Sequence, residues 1–183
     1  TQPPATFPAW TSVLTGCPPE VHGIRDMLTR DTPTSVLRPV SGVERQVPLI
    51  VQELARAGRS VACLGVPGLH PPPHESGAWI AGFDAPGADQ AGPDAVFPPS
   101  LYREVKACGG WRYATFNEQR FQIEAATDAL ISDIDDKARL VQSVARSRHW
   151  DLFFVHLQAS DTACHHLWPS WDRSSPRAEA YAV

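Results

Sequence analysis

No run in this 183-residue sequence approaches the roughly 18 consecutive apolar residues of a membrane-spanning helix. The longest candidate, Leu152 to Leu157, has the length of a strand, so no membrane partner is expected. No C-x-x-C pair occurs. Cys17, Cys63, Cys108 and Cys164 stand far apart, which excludes a zinc knuckle and a disulfide-dense scaffold and leaves them as small core residues. There is no excess of cations either. Lys and Arg number 16 against 20 Asp and Glu, a formal charge of −4, and they are scattered, so no nucleic-acid polymer is expected as partner. Internal repeats are absent. The chain opens on Thr1 without an initiator Met and stops on Ala-Tyr-Ala-Val, so it is expected to be a piece of a longer product, and the lack of a leader says nothing of compartment.

What the sequence does contain is enough apolar material for a core: 43% of residues are hydrophobic and 20% charged, the balance of one globular domain or part of one. Pro8 to Thr15 predicts a short helix ended by Gly16 and the Pro18-Pro19 pair. Pro48 to Ala57 predicts a second, stopped by Gly58, and Ser60 to Leu64 a buried strand. Helix followed by short apolar strand is the pattern of a parallel sheet covered on both faces. Residues 65–99 are rich in Pro and Gly, so neither helix nor long strand is expected there, and such a stretch either covers a site or is a solvated insertion. Leu101 to Ala107 predicts a helix closed by Gly109-Gly110. Gln119 to Arg148 predicts one long or two consecutive helices, with Leu130, Ile134, Ala138, Val141 and Ala145 on the inner face. Asp128, Asp133, Asp135 and Asp136 lack the Gly and terminal Glu of a calcium loop and are expected on a solvated helical face or at a helix start. A second buried strand follows, Leu152 to Leu157.

Polar residues just after a strand of an open parallel sheet are the first place to seek a ligand. Here they are Gln158 to Trp168. Asp161 and His165 stand four apart, a spacing that sets a carboxylate and an imidazole on one face of a helix, within reach of one divalent ion. Taken alone, Asp161 is more often a helix cap and His165 a packed or solvated histidine. His166 points about 100° away and is the weaker ligand. At the other end, Thr6 precedes a helix opened by Pro8. Its hydroxyl would lie beside unpaired amides at the positive end of the dipole, which suits an oxygen nucleophile attacking phosphorus, although taken by itself a Thr so placed is more often a cap. The pair His70 and His74 is separated by Pro71-Pro72-Pro73, which forbids a helix that would align them on zinc.

Taken together, these segments resemble a known family. The opening T-F-P-A-W-T-S-V-L-T-G-C-P-P-E-V-H-G-I is similar to the nucleophile segment of type I phosphodiesterase/nucleotide pyrophosphatase proteins of the alkaline phosphatase superfamily, in the predicted phosphohydrolase or phosphomutase branch. G-V-P-G-L-H-P-P from Gly65, A-G-F-D-A-P-G from Ala81, F-P-P-S-L-Y from Phe97 and W-D-L-F-F-V-H-L-Q-A-S-D-T-A-C-H-H-L-W from Trp150 match that branch in order, so the resemblance spans most of the chain. It implies an α/β, three-layer alkaline-phosphatase-like fold with a mostly parallel sheet and helices on both faces, incomplete at both ends. Residues 1–183 would be a partial catalytic domain with a Pro/Gly-rich loop at 65–99.

The resemblance implies that Thr6 is the nucleophile, transiently phosphorylated, and a ligand of one of two divalent ions, zinc or in some relatives manganese. Asp161 and His165 would hold the other ion. His22 and Gly23 would pack or position. Phe7 and Trp10 are placed as an apolar wall for a small-molecule phosphate ester. Where the nucleotide pyrophosphatases proper carry an Asn, this chain has Ala9. Two ions about 4 Å apart call for roughly seven protein ligands, of which three stand here, so the isolated chain is expected to bind zinc weakly and turn over little. Two further readings stay open: a non-catalytic α/β binding or interaction domain, and a cysteine hydrolase using Cys164, which lacks a glycine-rich turn to expose its sulfur.

Overall fold

The computed structural model describes residues 3–31, 35–85, 90–113, 123–172 and 174. In chain order they form α1 (Thr6–Thr15), α2 (Pro19–His22), β1 (Leu28–Arg30), β2 (Leu37–Pro39), α3 (Ile50–Arg56), β3 (Val61–Val66), β4 (Ala78–Ala81), β5 (Val96–Phe97), α4 (Pro99–Ala107), α5 (Ile123–Ser147), β6 (Leu152–Val155) and α6 (Ala159–Trp171). Positions 119–122 of the predicted long helix and 86–87 of the third matching segment lie outside the described residues.

β3 organises the rest. All six of its residues are buried, and each Val or Leu so placed contributes about 1.5–3 kcal/mol of apolar burial. It lies between β4 and β6 and runs parallel to both, while β4 pairs antiparallel with β5, giving a sheet ordered β5-β4-β3-β6. Successive side chains of a strand face opposite ways, so β3 feeds two cores. Ala62 and Leu64 join Ile80, Leu101 and Val105 of α4, Leu140 and Val144 of α5, and Trp111. Val61, Cys63 and Val66 join Leu14 of α1, Leu49, Val51 and Ala55 at α3, and Trp79. The fold is thus α/β with a mixed, mostly parallel four-stranded sheet. β1 and β2 form a separate antiparallel pair. Among the described residues no helix is long and apolar enough to cross a membrane.

Five expectations need correction. Residues 65–99 are not structureless: Ala78-Trp79-Ile80-Ala81, between Gly77 and Gly82, is a fully buried strand of the main sheet, because an apolar run of four suffices once β3 is there to pair with it. On α5 the buried positions are Ala126, Asp133, Lys137, Leu140 and Val144, about one residue out of phase with the expected stripe, while Ile134 is 39% exposed. Asp133 is therefore no solvated carboxylate. It receives the Lys137 ammonium at 2.6 Å, with Arg112 at 3.5 Å, and Arg112 and Arg139 also bind the half-buried Asp136. Of the four cysteines only Cys63 is buried, its thiol pushed up to about 12 by desolvation; Cys17 and Cys108 are half-buried and Cys164 is exposed. Finally, β6 is half-buried along its length, as an edge strand of the described sheet must be.

Candidate active site

α1 begins at Thr6, not after it. The N-cap is Ala5, in extended conformation and without a capping side chain, so the Thr6 hydroxyl is released from the capping role that its position ahead of the helix had suggested. Among the described residues Thr6 Oγ1 makes no hydrogen bond. Pro8 has no N–H, and the first amide bonded back is Ala9 to Ala5 O, at 3.0 Å. The amides of Thr6 and Phe7 therefore lack helical partners, beside a free hydroxyl.

The helix is held from below. His22 is fully buried; its Nδ1 accepts the Ile24 amide at 3.1 Å and its Nε2 meets Ser12 Oγ at 3.0 Å. An Nδ1 that accepts leaves the proton on Nε2, which donates to Ser12. Burial lowers the pKa of His22, so the ring is a neutral brace between α2 and α1, matching the packing role expected of it.

Thr6, Ala9, Trp10, Phe83, His156 and Asp161 share one cleft of about 390 Å³. Its walls come from the first turns of α1, the segment after β4, the end of β6 and the start of α6. These are the carboxyl ends of parallel strands, where open α/β sheets collect ligands. The structure thus brings Thr6, Trp10 and Asp161 together. His165 stands one turn further along α6, its Nε2 3.6 Å from Asp161 Oδ1, with side chains 71% and 66% exposed. It flanks the cleft without lining it. The His165 and His166 rings diverge, 6.5 Å between centroids at 57°. Phe7 is buried and stacks on Phe83 at 5.9 Å, so it supports the wall from behind, and Phe83 rather than Phe7 meets the cleft. His74 stacks on Phe97 at 5.0 Å, away from this site.

Two lining residues were not singled out from the sequence. Phe83 sits in the Pro/Gly-rich stretch, and its signal was its place just beyond an apolar run. His156 follows β6 at the end of an apolar run that absorbed it. Its backbone amide bonds Leu64 O at 3.0 Å and its Nδ1 lies 3.1 Å from Gly65 O. The strand register shifts between Leu64 and Val66, and Gly65 has φ +72° there, so this bulge turns the Gly65 carbonyl toward the imidazole. Trp10 meets the ring edge-on at 4.9 Å. Burial lowers the pKa of His156; the Gly65 carbonyl opposes that, Lys137 adds to it and Asp161 opposes it.

Among the described residues no Lys or Arg lines this cleft, and no group of three or more His, Cys, Asp or Glu side chains is placed to hold a metal ion. The cleft therefore offers carboxylate, imidazole and hydroxyl donors but no fixed positive charge beyond the start of α1.

The family model for type I phosphodiesterase / nucleotide pyrophosphatase matches residues 1–182. No curated protein and no solved structure matches the chain.

Proposed function

The chain belongs to the type I phosphodiesterase / nucleotide pyrophosphatase family, and from that premise we propose that this cleft is the centre of a metal-dependent phosphohydrolase, a phosphodiesterase or phosphomonoesterase, working through a phosphothreonine at Thr6. The observation that carries this reading is that Thr6, whose hydroxyl has no hydrogen-bond partner among the described residues, and Asp161 line one cleft at the strand ends. The fold is read as the three-layer alkaline-phosphatase-like one, with residues 1–183 a partial catalytic domain.

A phosphate ester is anionic, and no basic side chain among the described residues lines this cleft to balance it. That deficit supports a requirement for divalent cations. The donor set fits them: Asp161 and His165 are adjacent, exposed and of the types that zinc accepts, and among the described residues Thr6 Oγ1 has no competing hydrogen bond. We assign Asp161 and His165 to one ion and Thr6 to the other, zinc or manganese. When bound, the ions supply Lewis acidity and positive charge toward the phosphoryl oxygens.

The chain's own groups do the rest. Thr6 Oγ1 loses its proton and attacks phosphorus, the bond from phosphorus to the leaving alcohol oxygen breaks, and that oxygen takes up a proton. The open amides of Thr6 and Phe7 donate to the equatorial phosphoryl oxygens. Trp10 and Phe83 form the apolar wall beside the leaving group, and Ala9 adds only a methyl. Water then attacks phosphorus of the phosphothreonine, restoring the hydroxyl and freeing phosphate from a monoester substrate or the remaining phosphate monoester from a diester. Three donors fall short of the roughly seven that two ions need, so the 183-residue chain should bind zinc weakly and be nearly inactive, with the remaining ligands supplied in the full-length protein.

In that full-length protein, Thr6→Ala should cut phosphoester hydrolysis by about three orders of magnitude or more, as loss of a nucleophile does. Thr6→Ser should retain a measurable part, and zinc should still bind Thr6→Ala. An unchanged rate in Thr6→Ala would refute the assignment and leave a binding domain with an open helix start.

A further inference from the structure

We propose that His156 contacts the substrate, its Nε2 accepting a hydrogen bond from a hydroxyl of the leaving group, so that the cleft selects phosphate esters of hydroxyl-bearing rings, sugars or cyclic polyols, over esters of plain alkyl rings. This rests on the phosphohydrolase reading of the same cleft and deepens it.

The tautomer follows from the partner. A carbonyl can only accept, so the 3.1 Å contact with Gly65 O puts the ring proton on Nδ1. Neutral imidazole then carries a lone pair on Nε2, on the side of the ring away from Gly65, and His156 lines the cleft. Among the described residues Nε2 has no hydrogen-bond partner. The contact with Gly65 and the edge-on packing of Trp10 at 4.9 Å fix the ring, so the acceptor is preorganised and not free to swing away.

What an acceptor meets in such a cleft is constrained. A phosphoryl oxygen is itself an acceptor and would repel Nε2, so the contact belongs to the leaving group. A metal ion is the other natural partner for an imidazole whose second nitrogen is held by a carbonyl. Against it, Asp161 pairs with His165 at 3.6 Å, whereas among the described residues no carboxylate lies within ion-pair distance of His156. A hydroxyl remains. The cleft's other walls, Trp10 and Phe83, offer the aromatic faces against which the C–H side of a sugar or cyclitol ring packs, while its hydroxyl reaches Nε2. A site that hydrogen-bonds a substrate hydroxyl rejects the analogue lacking it, because the acceptor, stripped of water by the bound ligand, is then left unpaired.

The test compares phosphate esters of myo-inositol and of cyclohexanol, as monoester and as methyl diester, with the full-length protein. The two rings differ only in their hydroxyls. The expected result is a kcat/KM higher for the inositol ester by about 10- to 100-fold, lost in His156→Phe and largely retained in His156→Gln, whose side-chain oxygen reaches the Nε2 position. The readout is the ratio of the two esters within each variant, so a loss common to both does not enter it. No preference in the unsubstituted protein, or a preference that survives in His156→Phe, overturns the proposal. So does a protein that hydrolyses neither ester while Thr6→Ala still abolishes its activity on another phosphate ester; if no ester shows Thr6-dependent hydrolysis, the parent reading fails instead. An independent readout is the imidazole nitrogen spectrum, in which His156 should show a protonated Nδ1 and an Nε2 resonance that moves with myo-inositol and not with zinc. An Nε2 that responds to zinc alone would make His156 a ligand and refute the proposal.

Discussion

Gly65 shows how one residue sets the chemistry of another. Its φ of +72° lies in the left-handed region, and a Cβ there would run into the Trp111 ring. Gly65→Ala should therefore cost about 2–5 kcal/mol, summing backbone strain and overpacking, as read by urea denaturation, and should free His156 from its fixed tautomer. A loss under about 0.5 kcal/mol, the size of a neutral surface change, would mean the bulge is unimportant. At this scale the sequence was partly legible. Thr6 and Asp161 could be found because polar residues beside a helix start and after a strand are conspicuous, and they meet in one cleft. His156 was hidden because an imidazole in an apolar run looks like core, and only the pairing of β6 with β3, with the bulge where β3 pairs with β4, reveals a ring nitrogen that has no partner among the described residues. Phe7 was expected in the wall because aromatic residues near a helix start can face either way. Its burial behind Phe83 is set by the long-range packing of the 65–99 segment.

Among the elements, α5 is the one whose pattern misled. Its apolar residues suggest an inner stripe through Leu130 and Ile134, yet the buried line passes through Asp133 and Lys137, since an ion pair can occupy a core position that apolar counting reserves for hydrocarbon. Lys137 is 2% exposed and also lies 5.2 Å from the Trp111 ring. Lys137→Ala leaves Asp133 charged and buried, so a loss of about 3–5 kcal/mol is expected, whereas Asp133→Leu with Lys137→Met should be within about 1–2 kcal/mol of the unsubstituted protein in either direction. Equal losses from the single and the double substitution, by thermal or chemical denaturation, would show that the pair is not the element's anchor. Helices α1, α3 and α4 and strand β3 were readable within a residue or two, because Pro starts, Gly stops and continuous apolar runs are local signals. Strand β4 was not, because its existence depends on β3 and not on the Pro-rich sequence around it.

At the scale of the whole molecule, two neutral histidines tie stability to pH. Burial lowers His22 and His156 below the ordinary value of 6.5, so the unfolded chain binds protons that the folded chain refuses. Stability is fully present above about pH 6.5 and falls as the pH drops from there toward the lowered values. Denaturation midpoints between pH 7.5 and 5 should decline, and His22→Gln, which keeps a donor for Ser12 but cannot titrate, should decline less steeply; parallel slopes would refute the neutral brace. Molecule-wide chelation should likewise abolish hydrolysis by the full-length protein, with zinc or manganese restoring it, and activity that survives exhaustive chelation would remove the metals from the account. The most direct test of the central claim, that the first turn of α1 and the start of α6 form one phosphoryl-transfer centre, is a crystal structure of the full-length protein with zinc and orthovanadate. The account predicts vanadium bonded to Thr6 Oγ1, with zinc on Asp161 and His165 beside it. Vanadate bonded to another side chain, or zinc held away from Asp161, would contradict it.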